Sequence, residues 1–358
     1  MLRSVLFLFV LITCRLSAQE KIENILIVTT DGLRWQEVFG GMDSALANQN
    51  IYNEGKKDYI YDQYWTETPE ARRKKLMPFF WSTIATKGNI YGNRYAGNYV
   101  NNANPYWFSY PGYSEIFTGY PDTAINSNGF PPNPHVTILE YLNRMPKYAG
   151  KVAAFGAWEA FDRILNEKRA GFQVVSAFDS VAGKLTAQQK LLNAMKRDSY
   201  RPFGNSECLD VFTHYDAREY FLTHKPRVLY VSYGETDEWA HEGHYRSYLD
   251  AARQVDKWIE ELWNLIQADP AYRNKTALFF TTDHGRGDLD KSQWKSHGQS
   301  IPDASEIWFA VMAPGITGKG ELKTSMQLYQ KQFAQTMASL LGFRYAPVHP
   351  VGKAIDLQ

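Results

Sequence analysis

Short apolar runs that end in polar residues recur along this chain, and they predict buried β-strands. The clearest runs cover residues 24–30, 151–155, 227–233, 277–280 and 306–313, and residues 87–96 include a further one. Runs of four to eight apolar residues have the length of a strand that is buried on both faces of a sheet. The pattern therefore predicts several buried strands that lie far apart in the chain.

The segments between these runs carry helical patterns. Apolar residues at three- and four-residue steps over residues 248–266 predict a long helix with one face on the core. Shorter helices are predicted over residues 33–39, 113–118, 136–143 and 326–341. Residues 40–100 are rich in Gly, Asn and Tyr, which predicts loops and short helices. Residues 157–226 predict peripheral helices and a partial cap rather than a separate domain, because no linker-like segment occurs.

Composition narrows the class of protein. The chain has 358 residues, of which 44% are hydrophobic, so it can bury one large core or two ordinary ones. The formal net charge is +1, and no long run of one sign occurs. This balance argues against a nucleic-acid-binding surface and leaves small molecules as the expected partners.

Residues 1–18 are typical of a secretory signal. Arg3 gives the positive start, residues 5–12 the apolar segment and residues 16–18 a small-residue cleavage site. The apolar segment is too short to span a bilayer. Lipid modification of Cys14 fits poorly, because Thr13 precedes it. Removal of the signal leaves Cys208 as the only cysteine, so we expect an exported, periplasmic or secreted protein without an intrachain disulfide.

Carboxylate and imidazole side chains follow three of the predicted strands. The candidates are Asp31 after the first strand, Asp237 and His241 after the third, Asp283 and His284 after the fourth, and His297 in a polar loop. Open α/β sheets hold ligands at the carboxyl ends of their strands, and Asp and His are metal ligands. Some of these candidates also have an alternative role. Taken singly, Asp31 is better explained as a helix cap and His297 as a solvated side chain, and Asp283 and His284 could be a turn with a solvated Asp and a capping His. His244 lies off the four-residue spacing of Asp237 and His241, so it is not included.

Ser109 is predicted to lie at a helix N-terminus. Pro111 follows it closely and Gly119 lies just past the predicted helix, which is the usual placement of proline and glycine. The free N–H groups and the dipole of a helix start favour an alkoxide or a phosphate. An ordinary N-cap serine is the alternative.

The candidate ligands suit a hard-to-borderline metal such as Zn²⁺ rather than a structural cysteine site. They are numerous enough for two ions. Two-metal sites are suited to in-line displacement at phosphorus, because one ion activates the attacking oxygen and the other stabilises the leaving oxygen.

The order of these residues resembles the alkaline phosphatase superfamily, and most closely its type I phosphodiesterase and nucleotide pyrophosphatase branch. The resemblance covers most of the mature chain. It implies one zinc held by Asp237, His241 and His297. It also implies a second zinc, in contact with the nucleophile, that is held by Asp31, Asp283 and His284.

The resemblance also implies a nucleophile. In the family a Ser or Thr stands ten positions before the Gly of a Thr-Gly pair and often two before a Pro. Ser109 meets both conditions with Gly119 and Pro111, whereas Ser114 is only five positions before Gly119. Ser109 is therefore predicted to be both the nucleophile and a ligand of the second zinc.

A phosphate-binding asparagine is implied more loosely. The family's Gly-Ile-hydrophobic-X-Asn pattern matches residues 124–128 and indicates Asn128, although Ala124 replaces the glycine and Asn126 the apolar residue. The Cys-X-Pro-X-Arg motif of sulfatases does not occur in the sequence. An extra set of carboxylates for a third metal is also not evident.

The expected fold is a single α/β domain over residues 19–358, with a mostly parallel central sheet, helices on both faces and inserted cap loops. The expected function is exported, two-zinc hydrolysis of small phosphate esters through a covalent phosphoserine, with a preference for diesters. A phosphotransferase or mutase of the same superfamily and a non-catalytic zinc-dependent binding protein remain alternatives. Five aromatic residues around Ser109 are expected either to line the substrate cleft or to pack in the core: Tyr106, Trp107, Phe108, Tyr110 and Tyr113.

Overall fold

The structure is a computed structural model that describes residues 22–358. The predicted export signal and Cys14 lie outside the described residues. No helix among residues 22–358 combines the length and the apolar character that crossing a bilayer requires.

The described residues contain eleven strands. They are β1 (Asn24–Thr30), β2 (Asn89–Tyr91), β3 (Asn98–Asn101), β4 (Val152–Gly156), β5 (Gln173–Ser176), β6 (Val228–Tyr233), β7 (Thr276–Thr282), β8 (Glu306–Ile307), β9 (Phe309–Met312), β10 (Gly320–Glu321) and β11 (Met326–Tyr329). Eight of them form one sheet in the spatial order β10-β2-β9-β7-β1-β6-β4-β5. Only β9 runs antiparallel to its neighbours β7 and β2, and all other pairs in this sheet are parallel. The prediction of a mostly parallel central sheet is confirmed.

The described helices cover the two faces of this sheet. They are α1 (Trp35–Gly40), α2 (Ser44–Ala47), α3 (Lys57–Tyr64), α4 (Pro69–Leu76), α5 (Ala85–Lys87), α6 (Ser109–Thr118), α7 (Ile138–Asn143), α8 (Phe161–Ile164), α9 (Glu167–Ala170), α10 (Ala187–Asp198), α11 (Asp210–His224), α12 (Glu235–His241), α13 (Tyr245–Ala268) and α14 (Phe333–Leu340). A π-helical turn over Phe80–Ile84 precedes α5.

Alternate side chains of β1 enter two separate cores. Leu26 and Val28 pack in the core that includes the apolar face of α13, whereas Ile25 and Ile27 pack in the core formed with α6, α7 and α14. This alternation follows from the two-residue period of a strand. Because both faces of β1 are covered, every residue of the strand is buried, and its middle is apolar between Asn24 at the start and two threonines at the end.

Two parts of the fold differ from the sequence prediction. Residues 326–341 were predicted to form one helix, but residues 326–329 form strand β11 and helix α14 begins at Phe333. Met326 and Leu328 alternate with the more exposed Gln327 and Tyr329, which is the period of a strand. Strand β11 pairs with β3, and β8 completes this second, three-stranded sheet. The region 157–226 also contributes more than peripheral helices, because its strand β5 closes one edge of the central sheet.

Three adjacent parallel strands end side by side at the centre of the sheet. Thr30 at the end of β1 is level with Thr282 of β7 on one side and Tyr233 of β6 on the other. The residues that follow these three strands therefore emerge at the same edge, where α/β sheets hold their ligands.

Candidate active site

The three central strands bring most of the predicted site residues to one place. Asp31 follows β1, Asp283 and His284 follow β7, and Asp237 and His241 lie on α12, which follows β6. His297 comes from the loop after β7. Its neighbour Gly298 donates its backbone N–H to the carbonyl of Trp107, which ties this loop to the segment before Ser109.

One cluster forms around Asp237. Its Oδ2 lies 3.0 Å from His241 Nε2, and its Oδ1 lies 3.8 Å from both His297 Nε2 and His284 Nε2. The Nε2 atoms of His241 and His297 are 2.9 Å apart. The ligand atoms of Asp237, His284 and His297 lie within 4.8 Å of one another. His241 borders this group through its contacts with Asp237 and His297.

A second cluster forms around His284. Its Nε2 lies 3.2 Å from Asp31 Oδ1 and 3.4 Å from Asp283 Oδ2. Its other ring nitrogen, Nδ1, is 2.9 Å from the carbonyl oxygen of Gly285. A proton on Nδ1 that is donated to this carbonyl leaves Nε2 facing the two carboxylates, as in a metal-binding histidine.

The clustered charges shift the pKa values of these groups. Burial alone would lower the pKa of His284, but the charges of Asp283, Asp31 and Asp237 outweigh it and raise this pKa to about 9. Burial and the charge of Asp31 raise the pKa of Asp283 well above its usual range. Burial would also raise the pKa of Asp237, yet Arg286, His241 and His297 hold it well below its usual range. Burial and the neighbouring His284 lower the pKa of His297 well below that of an ordinary histidine.

Ser109 stands at the edge of the His284 cluster. It is the first residue of α6 and is only 6% exposed, and its Oγ lies 3.5 Å from His284 Nε2. Helix α6 therefore begins four residues earlier than the predicted range 113–118. Gly112 allows the close approach, because a Cβ at this position would lie 2.6 Å from the carbonyl oxygen of Asp283.

Asn128 lies beside the start of the same helix. Its side-chain oxygen accepts the N–H of Tyr110 at 3.0 Å, and the residue is otherwise exposed. Because the oxygen is engaged, the amide nitrogen of Asn128 is the donor that remains for another group. Arg163 supports this loop from behind by donating to the carbonyls of Asn128 and Phe130.

Sequence reasoning missed the residues that hold the candidate ligands in place. The Tyr113 hydroxyl donates to Asp31 Oδ2 at 3.0 Å, and Arg286 forms a buried ion pair with Asp237. The side chains of Asn102 and Gln330 both donate to the carbonyl of Asp283 at 2.7 Å. Of these residues, only Tyr113 could have been placed near the site from the sequence, because it lies one helical turn after Ser109 and on the same helix face.

The five aromatic residues around Ser109 divide into two groups. Tyr110 and Tyr113 are fully buried, and Tyr110 packs against Phe130. Tyr106, Trp107 and Phe108 are half-buried in the segment just before the serine. Only these three have surface left for a ligand.

The donor atoms fit a metal centre. The two clusters supply carboxylate oxygens and imidazole nitrogens, which are ligands of Zn²⁺. Asp31 Oδ1 and Asp283 Oδ2 are buried, and neither has a hydrogen-bond partner among the described residues. Buried carboxylate oxygens normally have partners, so these atoms and the facing nitrogens of His241 and His297 have the arrangement expected of metal ligands.

The fold resembles that of alkaline phosphatase superfamily structures. Wild-type alkaline phosphatase PafA aligns with a TM-score of 0.59 over 94% of this chain and 98% of its own, at 11% sequence identity. A 2-O GAG sulfatase aligns with a TM-score of 0.54 over 91% of this chain and 72% of its own, at 17% identity. At such identities the likeness concerns the fold alone, and it defines the class as an alkaline phosphatase-like α/β protein.

The sequence gives a narrower assignment. The family model described as type I phosphodiesterase / nucleotide pyrophosphatase matches residues 44–339. The chain therefore belongs to this family, which places it among enzymes that act on phosphate esters.

Curated relatives match shorter segments. GPI ethanolamine phosphate transferase 1 of Mus musculus is 29% identical over an alignment of 137 residues that covers 33% of this chain and 14% of the mouse protein. A Leptospira interrogans protein named probable 2,3-bisphosphoglycerate-independent phosphoglycerate mutase is 26% identical over an alignment of 148 residues that covers 39% of this chain and 26% of that protein. This chain thus matches only a minor part of these relatives, which are named as a transferase and a mutase.

Proposed function

We propose that the protein is an exported two-metal phosphoesterase that hydrolyses phosphate esters through a covalent phosphoserine on Ser109. The 3.5 Å contact between Ser109 Oγ and His284 Nε2 carries this proposal. In this contact the Ser109 hydroxyl, at the start of a helix, lies next to the His284 imidazole, which borders both clusters of candidate ligands. Export rests on the sequence of residues 1–18.

In this proposal Asp237, His241 and His297 hold one Zn²⁺, and Asp31, Asp283 and His284 hold the other together with Ser109. When bound, the two ions would supply Lewis-acid stabilisation of negative charge on the attacking and leaving oxygens. The tyrosine, amide and arginine side chains behind the ligands keep them oriented, which is the usual task of groups next to metal ligands.

Ser109 Oγ gives its proton to solvent water and attacks phosphorus in line, so that an Oγ–P bond forms while the bond from phosphorus to the leaving oxygen breaks, and the leaving oxygen takes up a proton from solvent. The Asn128 amide nitrogen donates to a non-bridging phosphate oxygen. Water then attacks this phosphorus and gives up its proton as the Oγ–P bond breaks and the serine is reprotonated. The product is phosphate when the substrate is a monoester and a phosphate monoester when it is a diester.

Hydrolysis has to be distinguished from transfer, because the curated relatives are named as a transferase and a mutase. The zinc-loaded protein should release the phenol from an aryl phosphate ester in a buffer that contains no acceptor alcohol. Turnover that requires an added alcohol would instead identify a phosphotransferase. Zinc binding without turnover of any ester would identify a non-catalytic zinc-dependent binding protein, and failure to bind zinc would show that the site has another purpose.

We expect kcat/KM to be higher for an aryl alkyl phosphodiester than for the matching aryl phosphate monoester. A monoester dianion needs an extra cation near Ser109. Arg286 beside Asp237 is 1% exposed and paired with that carboxylate, and Arg163 beside Asn128 is bound to loop carbonyls and to Glu159. A diester monoanion carries less charge and fits the single amide donor of Asn128.

The second ester group of a diester also needs an apolar wall. Tyr106, Trp107 and Phe108 are half-buried directly before the serine and can supply one. Stacking of an aryl group or a base on such a side chain stabilises binding by about 1–3 kcal/mol. Steady-state assays on the paired substrates decide the matter, and a clear monoester preference would contradict the prediction.

Tyr113→Phe should weaken zinc binding while leaving the fold intact. The variant removes the hydroxyl that donates to Asp31 Oδ2 but keeps the ring that packs on Phe161. Loss of a group that orients a metal ligand typically lowers metal affinity or activity about 10–100-fold. Competition with a chromogenic chelator measures the change.

Tyr110→Phe is the matched control for this variant. Tyr110 is also buried on α6, but its hydroxyl donates to the carbonyl of Pro131, away from the candidate ligands. Its zinc affinity should equal that of the wild type. Equal losses in the two variants would show that the effect comes from helix packing rather than from Asp31.

A further inference from the structure

Arg286 is a buried guanidinium directly behind the candidate ligand Asp237. Its side chain has no exposed surface, and its Nη2 contacts Asp237 Oδ1. The same nitrogen donates to the backbone carbonyl of Asp237 at 3.1 Å. The guanidinium is therefore anchored to the backbone of the residue whose carboxylate it neutralises.

The contact involves the oxygen that faces the rest of the site. Asp237 Oδ1 is the atom that lies 3.8 Å from the Nε2 atoms of both His284 and His297. Arg286 thus supplies positive charge to the same oxygen that the proposed function assigns to a metal ion. A guanidinium and a divalent cation on one carboxylate repel each other.

Arg286 is closely packed, and its guanidinium has few other partners. A Cβ on Gly32 would lie 2.8 Å from Arg286 Nε and 2.6 Å from Asp237 Oδ1, so only glycine leaves room for the pair. Nε and Nη1 of Arg286 are buried, and neither has a hydrogen-bond partner among the described residues. An arginine that served mainly as a hydrogen-bond donor would use these N–H groups. A counter-ion needs only to hold its positive charge close to the carboxylate, which Arg286 does.

The charge balance of the site explains why a cation is needed. Asp31, Asp237 and Asp283 are buried close together, and Arg286 is the one lysine or arginine among the described residues that pairs with any of them. The Tyr113 hydroxyl and the Gly32 N–H each donate to one of these carboxylates, but the groups in contact with them that can carry positive charge are histidines and Arg286. An unpaired buried carboxylate is strongly destabilising.

We propose that Arg286 is a built-in counter-ion of the Asp237 metal site, which stabilises the metal-free fold and lowers the affinity of the site for metal. The metal part of this inference rests on the proposed function. Because Arg286 stays anchored to the Asp237 backbone, its repulsion of the bound ion persists in the metal-loaded protein. The residue is a positioning and charge-setting group, and it does not touch the substrate.

Arg286→Gln and Arg286→Lys separate the charge from the hydrogen bond. In chelator-treated protein, Arg286→Gln should lower the denaturant midpoint of unfolding, whereas Arg286→Lys should stay close to the wild type. Zinc competition experiments should show the opposite order, with binding tighter by about tenfold or more in Arg286→Gln, where tenfold corresponds to about 1.4 kcal/mol. Because two zinc ions are proposed, the titration is also run on Asp237→Asn. The zinc-binding step that is missing in that variant is assigned to the Asp237 site.

The double variant Arg286→Gln with Asp237→Asn keeps the test decisive if Arg286→Gln unfolds without metal. Removing both charges should restore much of the stability that the single variant loses. Weaker zinc binding in Arg286→Gln, or no recovery in the double variant, would overturn the inference in favour of a purely geometric role. If the wild type binds no zinc, the proposed function and the statement on metal affinity both fail, while the stability cycle still reports on the counter-ion.

Discussion

Ser109→Ala should abolish turnover of phosphate esters while leaving the fold and most of the zinc in place. The variant removes the hydroxyl that lies 3.5 Å from His284 Nε2, and no other hydroxyl at the start of α6 can replace it. Loss of a nucleophile in a site that acts as a unit lowers kcat by several orders of magnitude, on the order of 10⁶ in a protease example. Circular dichroism, zinc content and ester hydrolysis together measure the result.

Ser114→Ala is the matched control on the same helix. Ser114 is 2% exposed, and its Oγ accepts a hydrogen bond from the Asn133 side chain at 3.0 Å. Its removal leaves a buried amide without its partner, which costs about 1–3 kcal/mol of stability. Activity per folded molecule should stay near that of the wild type. Loss of activity in Ser114→Ala together with retained activity in Ser109→Ala would show that the nucleophile is wrongly assigned.

Much of this site was readable from the sequence because β1, β6 and β7 are buried on both faces. Such strands are nearly all apolar until they end, so Asp31 and Asp283 stood out as charges placed directly after them. Asp237 and His241 were readable for another reason, since residues four apart share a helix face. Both signals are local: they depend only on how far a candidate residue lies from an apolar run or from another candidate. A single sequence contains this information.

The parts that the sequence did not reveal depend on contacts between distant segments. Strand β5 is only four residues long and is a strand because it pairs with β4, and β11 owes its conformation to pairing with β3. Arg286 stands two positions after His284 in the sequence, but nothing local showed that its side chain contacts Asp237. The same holds for Gln330, which reaches Asp283 from 47 residues further along the chain.

Removal of metal by a chelator should abolish activity, and zinc should rebind with a strong dependence on pH. In the metal-free protein the neighbouring carboxylates, acting against burial, raise the pKa of His284 to about 9. At pH 7 this imidazole is therefore protonated, and a metal ion must displace its proton before Nε2 can bind. The apparent affinity of the His284 cluster should rise about tenfold per pH unit and level off near pH 9. Calorimetric titration in buffers with different ionisation enthalpies should count at least one proton released for each metal bound at this cluster, because His284 loses its proton and the raised pKa of Asp283 can only add to the count.

The same pKa predicts how the stability of the metal-free protein depends on pH. The folded-state pKa of His284 lies above the ordinary value of about 6.5, so the folded state binds the proton more tightly than the unfolded state does. The resulting stabilisation, about 3 kcal/mol, is complete below pH 6.5 and is lost as the pH rises through 9. Chelator-treated His284→Gln should lack this loss between pH 6.5 and 9, which separates His284 from the other groups that titrate in the site. In zinc-loaded wild type the loss should also vanish, because a metal-bound imidazole carries no proton on Nε2. A metal-free wild type whose stability does not change over this range would show that His284 is neutral in the fold, and zinc binding would then release no proton from it.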